Sequence, residues 1–151
     1  MENHEPFLRE AIALSKSAME HGDEPFGSVL VKDGEVILRA ENRVFTGHDM
    51  TNHAEMNLVK LAAQQYDTAF LADCTLYTST EPCAMYSGAI YWSGIGRMVS
   101  ACSETRVGRD RWDRVECAEP VGVANRRAPR HCGWPDEPRR RSRRNTSGIL
   151  A

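Results

Sequence analysis

Phe7, Leu8, Ala11, Ile12, Ala18 and Met19 recur near helical spacing, with Glu, Lys and Ser between them, across residues 6–21. That period predicts an amphipathic helix with one apolar face. Gly22 is its stop signal. Pro25-Phe26-Gly27 reads as a loop. Ser28–Val31 and Glu35–Ala40 are short β-prone runs around Lys32-Asp33-Gly34, a hairpin signal. Residues 41–52 are polar and loop-like. Residues 53–65 predict a second helix with Leu58, Leu61 and Ala62 inward. Cys74–Thr78 predicts a third strand. Pro82 opens a third helix through about Trp92, since proline fits the first helical turn. Arg97–Ala101 predicts a fourth strand. Helices alternating with strands in this way indicate a central sheet with helices packed on it.

Beyond about residue 120 the pattern dissolves into Pro, Arg, Gly and Cys, as in Arg139-Arg140-Arg141-Ser142-Arg143-Arg144. The expected organisation is therefore one folded domain over residues 1–120 and a divergent Arg/Pro-rich tail over 121–151. A chain of 151 residues is long enough for one domain with a real core. The formal charge of −2 conceals an asymmetry: 11 Lys+Arg against 19 Asp+Glu in residues 1–125, and 8 Arg against 2 acids in 126–151. No run of 18 apolar residues is present, so no membrane partner is expected. The acidic start lacks the basic and apolar regions of a secretory signal, and a cytoplasmic location is expected. The five cysteines, at 74, 83, 102, 117 and 132, are odd in number and irregularly spaced, which predicts reduced thiols rather than a disulfide framework.

The chemistry lies in two short segments. His53-Ala54-Glu55 is followed, 27 residues after Glu55, by Pro82-Cys83-Ala84-Met85-Tyr86. Zn²⁺ takes about four N, S or O donors in tetrahedral array, and a hydrolytic site keeps one position for water. His53 and Cys83 each open a helix, and residue 86 lies on the same face as Cys83, three residues on. Helix starts carry positive partial charge, which suits an anionic thiolate. Glu55, in the same first turn as His53, can reach a water without ligating the metal and move its protons. Blander readings exist for each residue alone. His53 reads as a partly buried histidine and Cys83 as a small buried hydrophobe. Glu55 reads as the partner of Asn52 in a capping box. The two segments together, in order and each at a helix start, carry more.

The motifs Glu24-Pro-Phe-Gly-Ser-Val-Leu-Val31, Ala40-Glu-Asn42, His53-Ala-Glu55, Leu76-Tyr-Thr-Ser-Thr-Glu-Pro-Cys-Ala-Met85 and Gly88-Ala-Ile-Tyr-Trp-Ser-Gly-Ile-Gly-Arg97 resemble those of the zinc-dependent cytidine/guanine/tRNA-adenosine deaminase superfamily. The resemblance runs from about residue 6 to about 105 and is nearest to guanine deaminases. It implies an α/β fold of three α-β-α layers on a mixed sheet of about five strands, Zn²⁺ as cofactor and a homodimer. It implies His53 and Cys83 as metal ligands and Glu55 as the catalytic proton shuttle. Asn42 would hydrogen-bond the base, Phe26 would stack on it, and Ala54 and Trp92 would also contact substrate. The activity implied is hydrolytic deamination of an aminopurine, first guanine to xanthine plus ammonia. Adenosine in tRNA is the alternative substrate, and a non-catalytic homologue the alternative class.

Two features depart from the family. Tyr86 stands where the second cysteine ligand belongs. A phenol with pKa about 10 is a poor zinc ligand at neutral pH, and its ring is far bulkier than a thiol, so an impaired metal site is expected. The tail also departs. It reads as a solvated disordered segment, as the product of a shifted reading frame, or as an Arg-rich arm for RNA phosphates. Nucleic acid is not the expected partner, because no aromatic interleaving accompanies the arginines. Arg109-Asp-Arg-Trp-Asp113 is a further source of an acid for the pocket.

Overall fold

The hairpin Lys32-Asp33-Gly34-Glu35 sets the register from which the sheet grows. The computed structural model describes residues 3–102 together with Val123 and Ala124. Strands β1 (Gly27–Lys32) and β2 (Glu35–Glu41) are antiparallel, with Lys32 opposite Glu35 across a two-residue turn. Asp33 and Gly34 both have positive φ, 51° and 80°, as the favoured twist of a tight hairpin requires. An irregularity between Leu30 and Val31 shifts the register by one residue on β2.

Helix α1 (Glu5–Glu20) starts with Pro6 in its first turn and ends before Gly22, at φ 92°. It buries Leu8, Ala11, Ser15 and Ala18. Met19, expected inward, is 55% exposed. The small residues on the buried face let α1 lie close to β1. A Cβ at Gly27 would come within 2.7 Å of Ser15 N and onto the carbonyl oxygen of Ala11. Helix α2 (Ala54–Gln65) buries Ala54, Glu55, Leu58 and Ala62, whereas Leu61 is 38% exposed. The inward stripe thus follows the i, i+4 pair 58/62 and leaves 61 at its margin.

A five-residue helix α3 (Thr68–Ala72), not anticipated from the sequence, follows. Asp67 caps it by accepting a hydrogen bond from Phe70 N at 2.8 Å. Strand β3 (Thr75–Thr80) is buried from Leu76 onward and lies at the centre of the sheet. It pairs antiparallel with β1 and parallel with β4 (Arg97–Cys102). The parallel pair needs a crossover, supplied by α4 (Ala84–Ser93). Gly94, left-handed at φ 81°, ends that helix. A two-residue strand β5 (Val123–Ala124) pairs antiparallel with β4, giving the order β2-β1-β3-β4-β5. The mixed sheet thus lies between α1 on one face and α2 and α4 on the other, the three layers expected. β5 comes from a stretch in which the sequence shows no period.

Strand alternation sorts the core into two halves. Val29, Val31, Tyr77, Val99 and Ala101 face Leu8 of α1. Leu30 and Leu76 face the opposite layer, where they meet Leu58, Ala62, Tyr86 and Ile90. Cys74 and Cys83 are free thiols, as expected of reduced cysteines. Among the described residues no helix is long and apolar enough to cross a membrane. The expected acid at 109–113, and the readings of the tail as a disordered segment, a shifted frame or an RNA arm, lie outside the described residues.

Candidate active site

The start of α2 rests on the polar end of the β1–β3 pair. Ser28 is opposite Thr78 in the antiparallel ladder. Because Leu30 and Leu76 face α2, alternation puts Ser28, Thr78 and Thr80 on that same face. Glu55, in the first turn of α2, is completely buried against them. Its Oε1 accepts a short hydrogen bond from the Thr78 hydroxyl. Among the described residues, its Oε2 and the buried hydroxyls of Ser28 and Thr80 fall outside hydrogen-bonding geometry, although Ser28 is near enough to ease the carboxylate charge. Burial pushes the Glu55 carboxyl up from 4.5 to about 7, against the opposing influence of Thr78, a backbone N–H and Ser28. A carboxyl balanced near neutrality with one oxygen uncommitted is suited to taking up and returning a proton.

The capping-box reading of Glu55 does not hold. The N-cap of α2 is His53, not Asn52, and the Glu55 side chain turns inward. His53 and Cys83 are the N-caps of α2 and α4, both with extended backbone and neither using its side chain as a cap. Their imidazole and thiol are thereby left for other bonds. The two helix starts converge. Tyr86, one turn into α4, places its ring 5.6 Å from the His53 ring, tilted by 59°. Tyr86 is only 4% exposed and packs in the core beside Leu58 and Ile90. Its hydroxyl donates to the Glu81 carbonyl at 3.3 Å. Among the described residues no three His, Cys, Asp or Glu side chains come together as a metal-holding group.

Asn42 is fully buried at the end of β2. Its backbone N–H donates to the Phe26 carbonyl at 3.0 Å, which ties the loop before β1 to the end of β2. Its side-chain oxygen accepts from Val44 N at 3.0 Å, and its amide nitrogen points to Glu24 Oε2 at 3.5 Å. Phe26 is half-buried. The segment between Asn42 and His53 is held by Asp23, which accepts from Phe45 N and Thr46 N, both at 2.9 Å, and from the Thr46 hydroxyl at 2.6 Å. Burial alone would raise the Asp23 carboxyl, but these bonds and Arg43 outweigh it and hold the group below its usual value. Arg43 N donates to the Asn52 carbonyl at 2.9 Å and closes the loop.

Ala54 is buried beside Glu55, so a substrate contact from it falls to its backbone. Trp92, expected near the pocket mouth, stands near the end of α4. It lies nine residues along α4 from Cys83, about 13 Å at 1.5 Å per residue, is 63% exposed, and meets Tyr91 edge-on. Sequence reasoning missed Asp23, Ser28, Thr78 and Thr80. A signal for the last two was present: β3 alternates Leu76, Thr78, Thr80 on one face, and small hydroxyl side chains on a central buried strand need a polar neighbour.

The family model for the cytidine and deoxycytidylate deaminase zinc-binding region matches residues 1–102. The probable cytosine deaminase of Schizosaccharomyces pombe is 51% identical over 98 residues, 64% of this chain and 59% of that protein. The guanine deaminase of Bacillus subtilis is 46% identical over 92 residues, 60% of this chain and 59% of that protein. Its crystal structure superposes with a TM-score of 0.67 over 74% of this chain and 72% of that one. A tRNA-specific adenosine deaminase of Aquifex aeolicus is 38% identical over 69% of each chain. The chain thus spans about three-fifths of the length of the first two relatives.

Proposed function

The chain belongs to the cytidine and deoxycytidylate deaminase family, and from that premise we propose that it hydrolyses an aminopurine base, guanine to xanthine and ammonia. In that reaction water supplies the new carbonyl oxygen, one C–N bond breaks, and the amine leaves as ammonia without any redox change. Glu55 carries the reading. It is buried beside two converging helix starts, with Oε2 outside hydrogen-bonding geometry among the described residues. Oε2 is the atom assigned to take a proton from water and return it to the ring and the departing amine. Asn42 hydrogen-bonds the base edge. Phe26 offers a face for stacking, which sets ring size more than base identity. The similarity to the Bacillus subtilis guanine deaminase in both sequence and fold supports guanine, against the somewhat higher sequence identity to the probable cytosine deaminase of Schizosaccharomyces pombe. A homodimer in the cytoplasm is the corresponding proposal for its assembly and location.

Zn²⁺ is the metal of this family. A hydrolytic zinc site normally has three protein donors and one water. His53 and Cys83 would give a nitrogen and a sulfur donor. The third corner holds a phenol bonded to a backbone carbonyl, so the residues present do not fit the complete set. Tyr86 also favours a second reading, a deaminase-fold protein that binds a base without converting it.

The test is a panel of guanine, adenine, cytosine, adenosine and a tRNA anticodon stem-loop, incubated with the zinc-supplemented chain. Ammonia and products are separated by chromatography. Xanthine from guanine, at a low rate but above every other product, is the expected result. Uracil from cytosine or inosine in the stem-loop in excess of xanthine would overturn the guanine assignment. Saturable guanine binding with no product from any substrate would establish the second reading.

A further inference from the structure

We propose that Tyr86 is a plug: its ring keeps the third-ligand corner as part of the hydrophobic core and restricts the chain to a two-donor site that holds Zn²⁺ well below one ion per chain. The proposal rests on the assignment of His53 and Cys83 as donors, and it concerns metal retention rather than substrate. Residue 86 lies three positions after Cys83, on the same face of α4, and a helical side chain leans back toward the N-terminus. A ligand at that position would join Cys83 and His53. Instead the ring lies tilted against His53, ring centres 5.6 Å apart, and packs with Leu58, Ala62 and Ile90.

Three ways of completing the site are closed. The phenol oxygen is turned to the Glu81 carbonyl, 3.3 Å away, and a phenol does not ionise readily at neutral pH. Glu55 is drawn inward by Thr78 and forms no donor group with His53 and Cys83. No other described His, Cys, Asp or Glu joins them. The two helix N-caps are in place, and their side chains are not used as caps.

The experiment measures zinc per chain by elemental analysis after dialysis against micromolar zinc. It compares the full chain with Tyr86→Phe and Tyr86→Cys. The full chain and Tyr86→Phe should retain equally little zinc, because the hydroxyl is no ligand. Tyr86→Cys should rise to about one ion per chain, the occupancy of a three-donor site. Stoichiometric zinc in the full chain would overturn the proposal. So would loss of zinc on Tyr86→Phe, which would make the phenol a ligand. So would a folded Tyr86→Cys protein, by circular dichroism, that gains no metal. If Tyr86→Cys fails to fold because its core position is emptied, the first two proteins still decide the matter. Substrate plays no part in this readout. A zinc-loaded Tyr86→Cys protein inert toward guanine would count against the guanine reading and leave the plug standing.

Discussion

Glu55→Gln separates the electrostatic cost of the buried carboxyl from its chemistry. Glu55 is fully buried, and burial raises its carboxyl from 4.5 to about 7. The folded protein therefore holds a proton there that the unfolded chain has already released. The sign follows from this. Stability that depends on the neutral acid is fully present below pH 4.5 and is lost as pH rises through about 7. At about 1.4 kcal/mol per pH unit, the interval from 4.5 to about 7 amounts to about 3 kcal/mol. Glutamine is nearly the same size, is neutral at every pH, and keeps a carbonyl oxygen for the Thr78 hydroxyl. Urea denaturation of chelator-treated protein between pH 5 and pH 8 is the assay. Part of this is already lost at pH 5, so the parent should lose about 2–3 kcal/mol more than Glu55→Gln across that range. Asp23 and Asp49, both held below their usual values by hydrogen bonds, titrate at lower pH and are common to both proteins. They cancel in the difference. Parallel stability curves would refute the argument and show that Glu55 is as well solvated in the fold as in the unfolded chain.

Two further substitutions probe the frame around the site. Asp23→Ala removes the acceptor of three hydrogen bonds from Phe45 and Thr46. It should cost about 1–3 kcal/mol in urea denaturation, and unchanged stability would show that the loop closes without it. Gly27→Ala would drive a methyl group onto the Ala11 carbonyl and toward Ser15 N, backbone atoms that cannot swing aside. It should cost about 1–3 kcal/mol by lifting α1 from β1, and a stability equal to the parent's would mean that helix and strand are packed less closely than described.

Much of the fold was legible because its signals are local. The stripe on α1, the Asp33-Gly34 turn and the helix starts at His53 and Cys83 each follow from a few neighbouring residues. What was not legible depended on tertiary context. Leu61 and Ala62 are adjacent, and the period does not say which of them sits at the centre of the stripe; packing chose 62. Helix α3 is too short to show a period. Strand β5 is two residues in an Arg/Pro-rich stretch and exists through its pairing with β4.

At the site, the motif named His53, Glu55 and Cys83 but not the support beneath them. Thr78, Ser28 and Thr80 become partners or neighbours of Glu55 only once β1 and β3 are in register. Asn52 has capping-box spacing to Glu55, yet the helix starts one residue later, at His53, and the carboxyl turns inward. Trp92 belongs to a matching motif, but nine residues of helix carry it away from Cys83. The departure at Tyr86 was visible in the sequence. That its hydroxyl is tied to Glu81 and its ring is core was not.

The most direct test of the deaminase reading is xanthine formed from guanine per bound zinc, measured for Tyr86→Cys and for the same protein carrying Glu55→Gln as well. Turnover is expected in the first and a loss of about 10²- to 10⁴-fold in the second, with zinc content equal in both. Zinc bound in both proteins with equal xanthine formation, or with none from either, would contradict that reading.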